Sequence, residues 1–293
     1  MSLLDVFFRL LLSFLGSIPY PILYRAGKLL AFLMRIFPNK HKNITEVNLG
    51  LVFKDKTIGE RGELLKKSLF HSSMNFLESG IVWNKKNFKK IEANIDIFNA
   101  EAVNKSLRSD RGVLLITPHL GNIEVIINYL GSKFDCTIPY SKPKNDTLDK
   151  VVTESRNSLG VKMVNIDSSG IKQILSTLKN NKLVTIASDQ VPKEGSGIVS
   201  SFFENEIYSM TLVPKLKEKT HCSVHVVFCL RKDNGKGFNI YFSDEIDISS
   251  SVKEGVDKMN IEFENCIMKA PEQYSWEYKK FKRTNLNSLY KGI

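Results

Sequence analysis

Between residues 113 and 242 the chain alternates short β-branched apolar runs with segments of helical periodicity, and this pattern constrains the fold most strongly. Apolar runs of about 4–8 residues indicate buried strands, whereas apolar residues at three- and four-residue steps indicate helices. The predicted strands are Val113–Thr117, Cys136–Pro139, Val161–Val164, Leu183–Ala187, Val224–Leu230 and Phe238–Phe242. The predicted helices are Ile123–Leu130, Asp146–Leu159, Ile171–Leu178 and Met210–Lys219. This alternation predicts an α/β fold with a mixed, largely parallel sheet flanked by helices.

The turn-rich stretch "RKDNGKG" joins the last two predicted strands, so these strands are expected to form an antiparallel hairpin. Helical periodicity also covers residues 44–83 before the sheet and residues 251–269 after it. The α/β domain is therefore predicted to span residues 43–293.

The most apolar part of the chain is the N-terminal segment, residues 1–42. Asp5 and Arg9 interrupt its first apolar run and two prolines break its middle, so it lacks the roughly 20 uninterrupted apolar residues of a spanning helix. Two apolar helical stretches remain, Leu3–Leu15 and Ile22–Ile36, with basic residues in and after the second. This pattern favours helices that anchor the protein at an anionic membrane surface. The alternative is a helical hairpin packed onto the domain.

The net charge of +11 makes anionic lipid, nucleic acid and acidic proteins the candidate partners. Basic runs interleave with phenylalanine in "KKNFKK" and "KKFKR", but no recognised nucleic-acid module accompanies them. We therefore expect contacts with lipid headgroups, glycolipid phosphates or an acidic carrier protein, and no nucleic-acid partner. The four cysteines form no C-x-x-C pair, which favours reduced, buried thiols facing the cytosol.

The candidate catalytic residues lie in "GVLLITPHLGNIE", where an apolar strand runs into a turn and then a helix. His119 is predicted at the carboxyl end of the strand, the edge at which open α/β sheets bind ligands. Asn122 is the predicted N-cap of the next helix, and Glu124 lies in its first turn. A carboxylate on one ring nitrogen would leave the other free as a general base. The alternative is a turn histidine and a helix-start glutamate without chemistry.

Two further features bear on mechanism. The stretch "PHLGNIE" offers no serine or cysteine nucleophile, so a base here would act directly on a substrate hydroxyl. His221, His225 and Cys229 share one face of a predicted strand but stand too far apart to hold one ion, so no metal site is predicted.

The segment "HLGNIE" matches the H-x-x-x-x-[DE] motif of the lysophospholipid acyltransferase superfamily. Three further segments resemble the lipid A biosynthesis (lauroyl and myristoyl) acyltransferases of that superfamily, in the same order along the chain. They are "SRNSLG", "LVTIASDQVPKEGSGIVSSFFE" and "NCIMKAPEQYSWEYKKFK". The resemblance covers nearly the whole chain, including the apolar N-terminus.

The resemblance implies a glycerolipid-acyltransferase-like fold that transfers a fatty acyl chain from an acyl thioester to a glycolipid hydroxyl. The donor would be acyl carrier protein, or coenzyme A, and the acceptor a lipid A precursor at the cytoplasmic face of the bacterial inner membrane. No cofactor is implied beyond this co-substrate. His119 would be the base and Glu124 its partner. The implied substrate-binding or oxyanion residues are Arg156, Asp189, Asn122 and Gln190.

Two departures concern the acceptor. The segment "KEGSGI" lacks the arginine of the Glu-Gly-Thr-Arg phosphate motif of the glycerolipid branch, which counts against lysophosphatidate as acceptor. Glu277 stands where the lipid A branch usually has histidine or another basic residue. The alternatives are an acyltransferase for another glycolipid or phospholipid, such as a phosphatidylinositol mannoside, and a non-catalytic basic protein that binds lipid or nucleic acid.

Overall fold

The computed structural model describes residues 3–142, 145–248 and 251–293, and its centre is a seven-stranded sheet with helices packed around it. The order across this sheet is β1-β9-β8-β2-β5-β3-β4, and β6 and β7 form a separate two-stranded hairpin. The strands are β1 (Ile95–Phe98), β2 (Val113–Thr117), β3 (Cys136–Tyr140), β4 (Lys162–Asn165), β5 (Leu183–Ala187), β6 (Gly197–Phe202), β7 (Asn205–Met210), β8 (Ser223–Arg231) and β9 (Phe238–Phe242).

Twelve α-helices lie within the described residues. They are α1 (Leu3–Ser17), α2 (Tyr20–Ile36), α3 (Lys40–Val52), α4 (Ile58–Leu77), α5 (Ser79–Val82), α6 (Lys85–Glu92), α7 (Ala100–Arg108), α8 (Ile123–Lys133), α9 (Asp146–Ser158), α10 (Ser168–Lys179), α11 (Leu212–Thr220) and α12 (Val252–Ile267). The predicted helices of the α/β region correspond to α8 through α12, each shifted by a few residues at its ends.

The sheet is mixed and largely parallel, as predicted. Strands β8, β2, β5, β3 and β4 run parallel to one another, and β9 pairs antiparallel with β8, which confirms the expected hairpin. All five residues of β2, the central strand, are buried. Such strands read as continuous apolar runs because both faces are covered by helices.

The sequence prediction missed strand β1, the β6–β7 hairpin and the helices α6 and α7. Strand β1 is a four-residue edge strand whose burial alternates, so it gives no continuous apolar run. The β6–β7 hairpin carries serine, glutamate and asparagine on its strands, and the predicted start of the helix at Met210 is the last residue of β7. The glycine-containing segment "KEGSGI" leads into β6 of this hairpin.

The N-terminal helices α1 and α2 pack one face against the domain. Arg9 of α1 pairs with Glu154 of α9 at 2.8 Å, and Thr147 donates a hydrogen bond to Asp5. Leu23 of α2 is fully buried. The boundary predicted between residues 42 and 43 falls inside α3, and residues 1 and 2 lie outside the described residues. The division into two parts stays a prediction.

The other face of these two helices is strongly apolar and exposed. Its large exposed side chains are Leu3, Phe7, Leu10, Phe14, Ile22, Leu29, Phe32, Leu33 and Ile36. Among the described residues no single helix has the length and apolar content needed to cross a bilayer. The segments Asp5–Ser17 and Tyr20–Ile36 reach that threshold only as a pair, which is bent by 116°.

The turn after β2 is pressed against the neighbouring strand at Gly121. Its φ is +68°, and an added Cβ would lie 1.6 Å from the backbone oxygen of Cys229 in β8. Its amide donates to the backbone oxygen of Gln273 at 2.9 Å. Only glycine combines this backbone conformation with so close an approach.

We expect Gly121→Ala to lower the free energy of unfolding by more than the ~1–3 kcal/mol of backbone strain alone, because the methyl group also meets Cys229. Gly195→Ala is the matched control, since Gly195 has φ +77° and nothing within 4 Å of an added Cβ. Chemical denaturation of the two variants measures the difference, and equal losses would contradict the close-approach argument.

Candidate active site

The site forms where the parallel strands β2 and β5 end side by side. Their register pairs Thr117 with Ala187, so the residues two positions beyond each strand, His119 and Asp189, become neighbours. The His119 amide donates to Asp189 Oδ2 at 2.9 Å, and the ring Nδ1 lies 2.6 Å from Oδ1. The placement of His119 at a strand end is therefore confirmed, and Asp189 lies at the same edge as expected.

The carboxylate sets the protonation of the His119 ring. An ionised carboxylate only accepts hydrogen bonds, so Nδ1 carries the proton and Nε2 is the free basic nitrogen. Burial disfavours the charged imidazolium, but the charge and hydrogen bond of Asp189 outweigh it and raise the pKa of His119 above its ordinary 6.5. Burial likewise opposes ionisation of Asp189, yet the contact with His119 holds the pKa of Asp189 well below its usual range.

The basic nitrogen faces the open side of the site. The His119 side chain is 27% exposed, whereas that of Asp189 is 2% exposed. The side-chain amide nitrogen of Gln190, an exposed residue, lies 3.3 Å from His119 Nε2. Gln190 therefore covers the ring nitrogen that is not bonded to Asp189.

The C-terminal segment closes the buried side of the pair. The Tyr274 hydroxyl donates to Asp189 Oδ2 at 3.0 Å, and the Ser275 amide donates to the His119 backbone oxygen at 3.0 Å. The Lys280 ammonium donates to the backbone oxygen of Asp189, and burial lowers the pKa of Lys280 to about 8. Sequence reasoning missed the roles of Tyr274 and Lys280. The segment "APEQYSWEYKK", which contains both residues, resembles the acyltransferase family, but this resemblance does not predict which atoms they contact.

Glu124 does not take the place expected for it. Its carboxylate accepts from Arg156 Nη2 at 2.5 Å and from Nε at 3.3 Å, an ion pair in which both side chains are 14% exposed. Within the described residues no hydrogen bond joins Glu124 to His119. The expected contact is therefore wrong in this geometry, because the adjacent strand already supplies Asp189 to the ring while Glu124 faces α9. Its part in catalysis stays a prediction.

Asn122 is the N-cap predicted for α8. Its side-chain oxygen accepts from the Glu124 amide at 3.1 Å, which satisfies one free donor of the first helical turn. Its amide nitrogen donates to Glu78 at 2.7 Å. With 4% of its surface exposed, Asn122 shapes the turn that carries His119.

The other candidate groups lie outside this site. His225 Nδ1 is 3.0 Å from the Ser243 backbone oxygen, and its Nε2 is 2.9 Å from the Ser106 hydroxyl, so the ring is used in packing. All four cysteines are buried free thiols, and burial raises the pKa of each.

The chain matches the model of one known protein family. The profile of the family described as bacterial lipid A biosynthesis acyltransferase matches residues 3–283. The chain therefore belongs to this family, and it is an acyltransferase.

Individual relatives are distant but match over nearly their full length. The chain is 26% identical to the lipid A biosynthesis lauroyltransferase of Escherichia coli K12, covering 91% of this chain and 87% of that protein. It is 23% identical to the palmitoleoyltransferase of the same strain, covering 94% and 90%. A lipid A biosynthesis acyltransferase of Haemophilus influenzae is 22% identical, covering 93% and 85%.

We expect Asp189→Asn to move the acidic limb of the pH–rate profile to lower pH and to lower kcat by ~10²–10⁴-fold. A base must be neutral to act, and Asp189 raises the pKa of His119, so removing its charge lowers that pKa. Asp135→Asn, which breaks an exposed ion pair with Lys182, is the control and should leave the limb unchanged. An unmoved limb in Asp189→Asn would rule out Asp189 as the source of the raised pKa.

Proposed function

We propose that this protein transfers a fatty acyl chain from an acyl thioester to a hydroxyl of a lipid A precursor, with His119 as general base. The observation that carries the mechanism is the His119 ring, whose Nδ1 is bonded to Asp189 while Nε2 faces the open side. The acceptor class rests on the relatives, which are named for lipid A biosynthesis.

In the proposed reaction the oxygen of the acceptor hydroxyl attacks the carbonyl carbon of the thioester, and Nε2 of His119 takes the proton of that hydroxyl. Asp189 stabilises the imidazolium that forms, because its carboxylate stays ionised at 2.6 Å from Nδ1. The tetrahedral intermediate then collapses, the carbon–sulfur bond breaks, and the thiol takes the proton back from Nε2. The products are an ester and a free thiol, and His119 returns to its starting state. Gln190, which is exposed, turns away from Nε2 to admit the hydroxyl.

Arg156 is the proposed partner of negative charge, either the oxyanion of the tetrahedral intermediate or a phosphate of the glycolipid. A guanidinium presents a planar fork of donors that suits both. Glu124 holds that fork in place through its two contacts, and the Tyr140 ring lies 5.7 Å from the guanidinium carbon. Glu124 would thus act through Arg156 rather than through His119.

We expect His119→Ala to lower the transfer rate by ~10²–10⁴-fold, the usual contribution of a positioned general base. Glu124→Gln should also lower the rate, because it loosens Arg156, but it should leave the acidic limb in place, since His119 titrates against Asp189. The assay follows a labelled acyl chain from acyl carrier protein to a lipid A precursor. His221→Ala, at an exposed turn, is the matched control. Full transfer by His119→Ala would overturn the mechanism.

Acyl carrier protein is the proposed donor, with a coenzyme A thioester as the alternative. The net charge of +11 favours an acidic protein partner over long range. The same assay run with each thioester separates the two, since a carrier-protein enzyme loses rate steeply with coenzyme A and with added salt.

The proposed location is the cytoplasmic face of the bacterial inner membrane, with α1 and α2 seated on the bilayer. An exposed apolar face of this size on one helical pair is the usual mark of a membrane or protein contact. Arg25, Lys28 and Arg35 on α2 supply positive charge beside it. Anionic headgroups would match that charge.

The double variant Phe7→Ser/Phe14→Ser should weaken binding to phosphatidylglycerol-containing vesicles on the order of tenfold or more per side chain, because each ring is exposed and would be buried in lipid. Vesicle sedimentation of the purified full chain measures this change. Ile261→Ser, at an exposed apolar position of α12, is the control and should bind as the unaltered protein does. Equal binding by the double variant would exclude this face from the membrane contact.

A further inference from the structure

A buried ion pair lies behind the turn that carries His119. Arg231, the last residue of β8, contacts Glu78, between α4 and α5, through two hydrogen bonds of 2.7 and 2.6 Å. Each side chain is 1% exposed. Burying two charges is costly unless further hydrogen bonds satisfy them, so the surroundings of this pair matter.

Two side chains satisfy the Arg231 guanidinium, and a third holds the Arg231 backbone. Asn75 Oδ1 accepts from its Nη2 at 2.9 Å, and His71 Nδ1 accepts from its Nη1 at 2.7 Å. Burial and the Arg231 charge lower the pKa of His71 to about 3, so the ring is a neutral acceptor. Gln273 exchanges two hydrogen bonds with the Arg231 backbone, at 2.8 and 3.0 Å.

The same pair reaches the His119 turn from two directions. Asn122 Nδ2 donates to Glu78 Oε2 at 2.7 Å. Asn75 Nδ2 donates to the backbone oxygen of Gly121 at 3.0 Å. These two anchored residues follow His119 by two and three positions, so the cluster fixes the backbone immediately after the ring.

The pair also reaches the N-terminal helices. The hydroxyl of Tyr20, the first residue of α2, donates to Glu78 Oε1 at 2.5 Å. Tyr20 directly follows the bend between α1 and α2, the two helices whose outer faces carry the exposed apolar side chains. One carboxylate thus holds α2, β8 and the His119 turn together.

We propose that Tyr20, Glu78 and Arg231 are positioning residues, which couple the placement of helices α1 and α2 to the conformation of the His119 turn. The inference rests on the proposed function in treating His119 as the base. None of the three residues bonds to the His119 ring, so they act through the turn. The charged groups that face the ring are Asp189, Lys280 and Glu277. A displaced turn therefore changes the distance from Nδ1 to Asp189 and with it the protonation of the ring.

The decisive variant is Tyr20→Phe, which keeps the ring and removes one donor. In Tyr20→Phe, Glu78 retains its bonds to Arg231 and Asn122, so the protein folds, whereas Glu78→Gln would leave a buried guanidinium without its counter-charge. We expect kcat to fall on the order of tenfold, less than the ~10²-fold that a ~1 Å misplacement can cost, with KM for the thioester unchanged. The acidic limb should move to lower pH by a few tenths of a unit, because the contact with Asp189 loosens.

Two comparisons frame this variant. Tyr24→Phe removes a hydroxyl one turn further along α2 and outside the cluster, so its kcat and pH profile should match those of the unaltered protein. Asn122→Ser removes the amide donor to Glu78 but keeps a side-chain oxygen for the N-cap, so it should reproduce the shift of Tyr20→Phe.

The pKa of His119 is measured directly by NMR titration of the ring in the detergent-solubilised full chain, with the resonance assigned from its loss in His119→Ala. A lowered pKa of the His119 ring in Tyr20→Phe and Asn122→Ser supports the proposed coupling. This holds even if the unaltered protein shows no acyl transfer, since that result would overturn only the proposed function. If the rate falls by the same factor at every pH and the pKa of the His119 ring is unchanged, the cluster only stabilises the fold and the proposal is overturned.

Discussion

Everything at this site depends on the parallel, in-register pairing of β2 with β5. Because Thr117 pairs with Ala187, the residues two positions beyond each strand lie side by side. The register alone therefore brings the imidazole of His119 next to the carboxylate of Asp189. Strand β8 on the other flank of β2 delivers Arg231 to the same edge. Three adjacent strand ends thus carry the imidazole, the carboxylate bonded to it and the buried guanidinium behind the His119 turn, and the carboxyl edge is where open α/β sheets bind ligands.

The same register explains which part of the site the sequence could predict. The apolar run Val113–Thr117 and the run Leu183–Ala187 were both recognisable as strands, so His119 and Asp189 could be placed at strand ends. Their adjacency could not be read from the chain, because strand order is decided by packing between distant segments. Glu124, five residues from His119, looked like the nearer partner. Glu124 instead bonds to Arg156 of α9.

The fold also has parts that the sequence predicts and parts that it does not. Buried strands and the hairpin "RKDNGKG" were predictable, because apolar runs and turn residues are local signals. Strand β1 and the β6–β7 hairpin were not, because their polar residues leave no apolar run. The tail was harder still: Trp276 and Phe281 are fully buried and Tyr274 touches Asp189, yet no periodicity marks these residues. Glu78 and Arg231 carry no mark in the sequence that predicts their burial, although each side chain is 1% exposed in the fold.

Tyr274, Ser275 and Lys280 contact the His119–Asp189 pair, so the site cannot be complete until the ribosome has made this C-terminal segment. The apolar helices α1 and α2 are synthesised before the sheet and the C-terminal segment. The residues that close the site emerge about 270 positions later. An unfinished chain therefore has the exposed apolar helices but lacks the contacts that support His119 and Asp189.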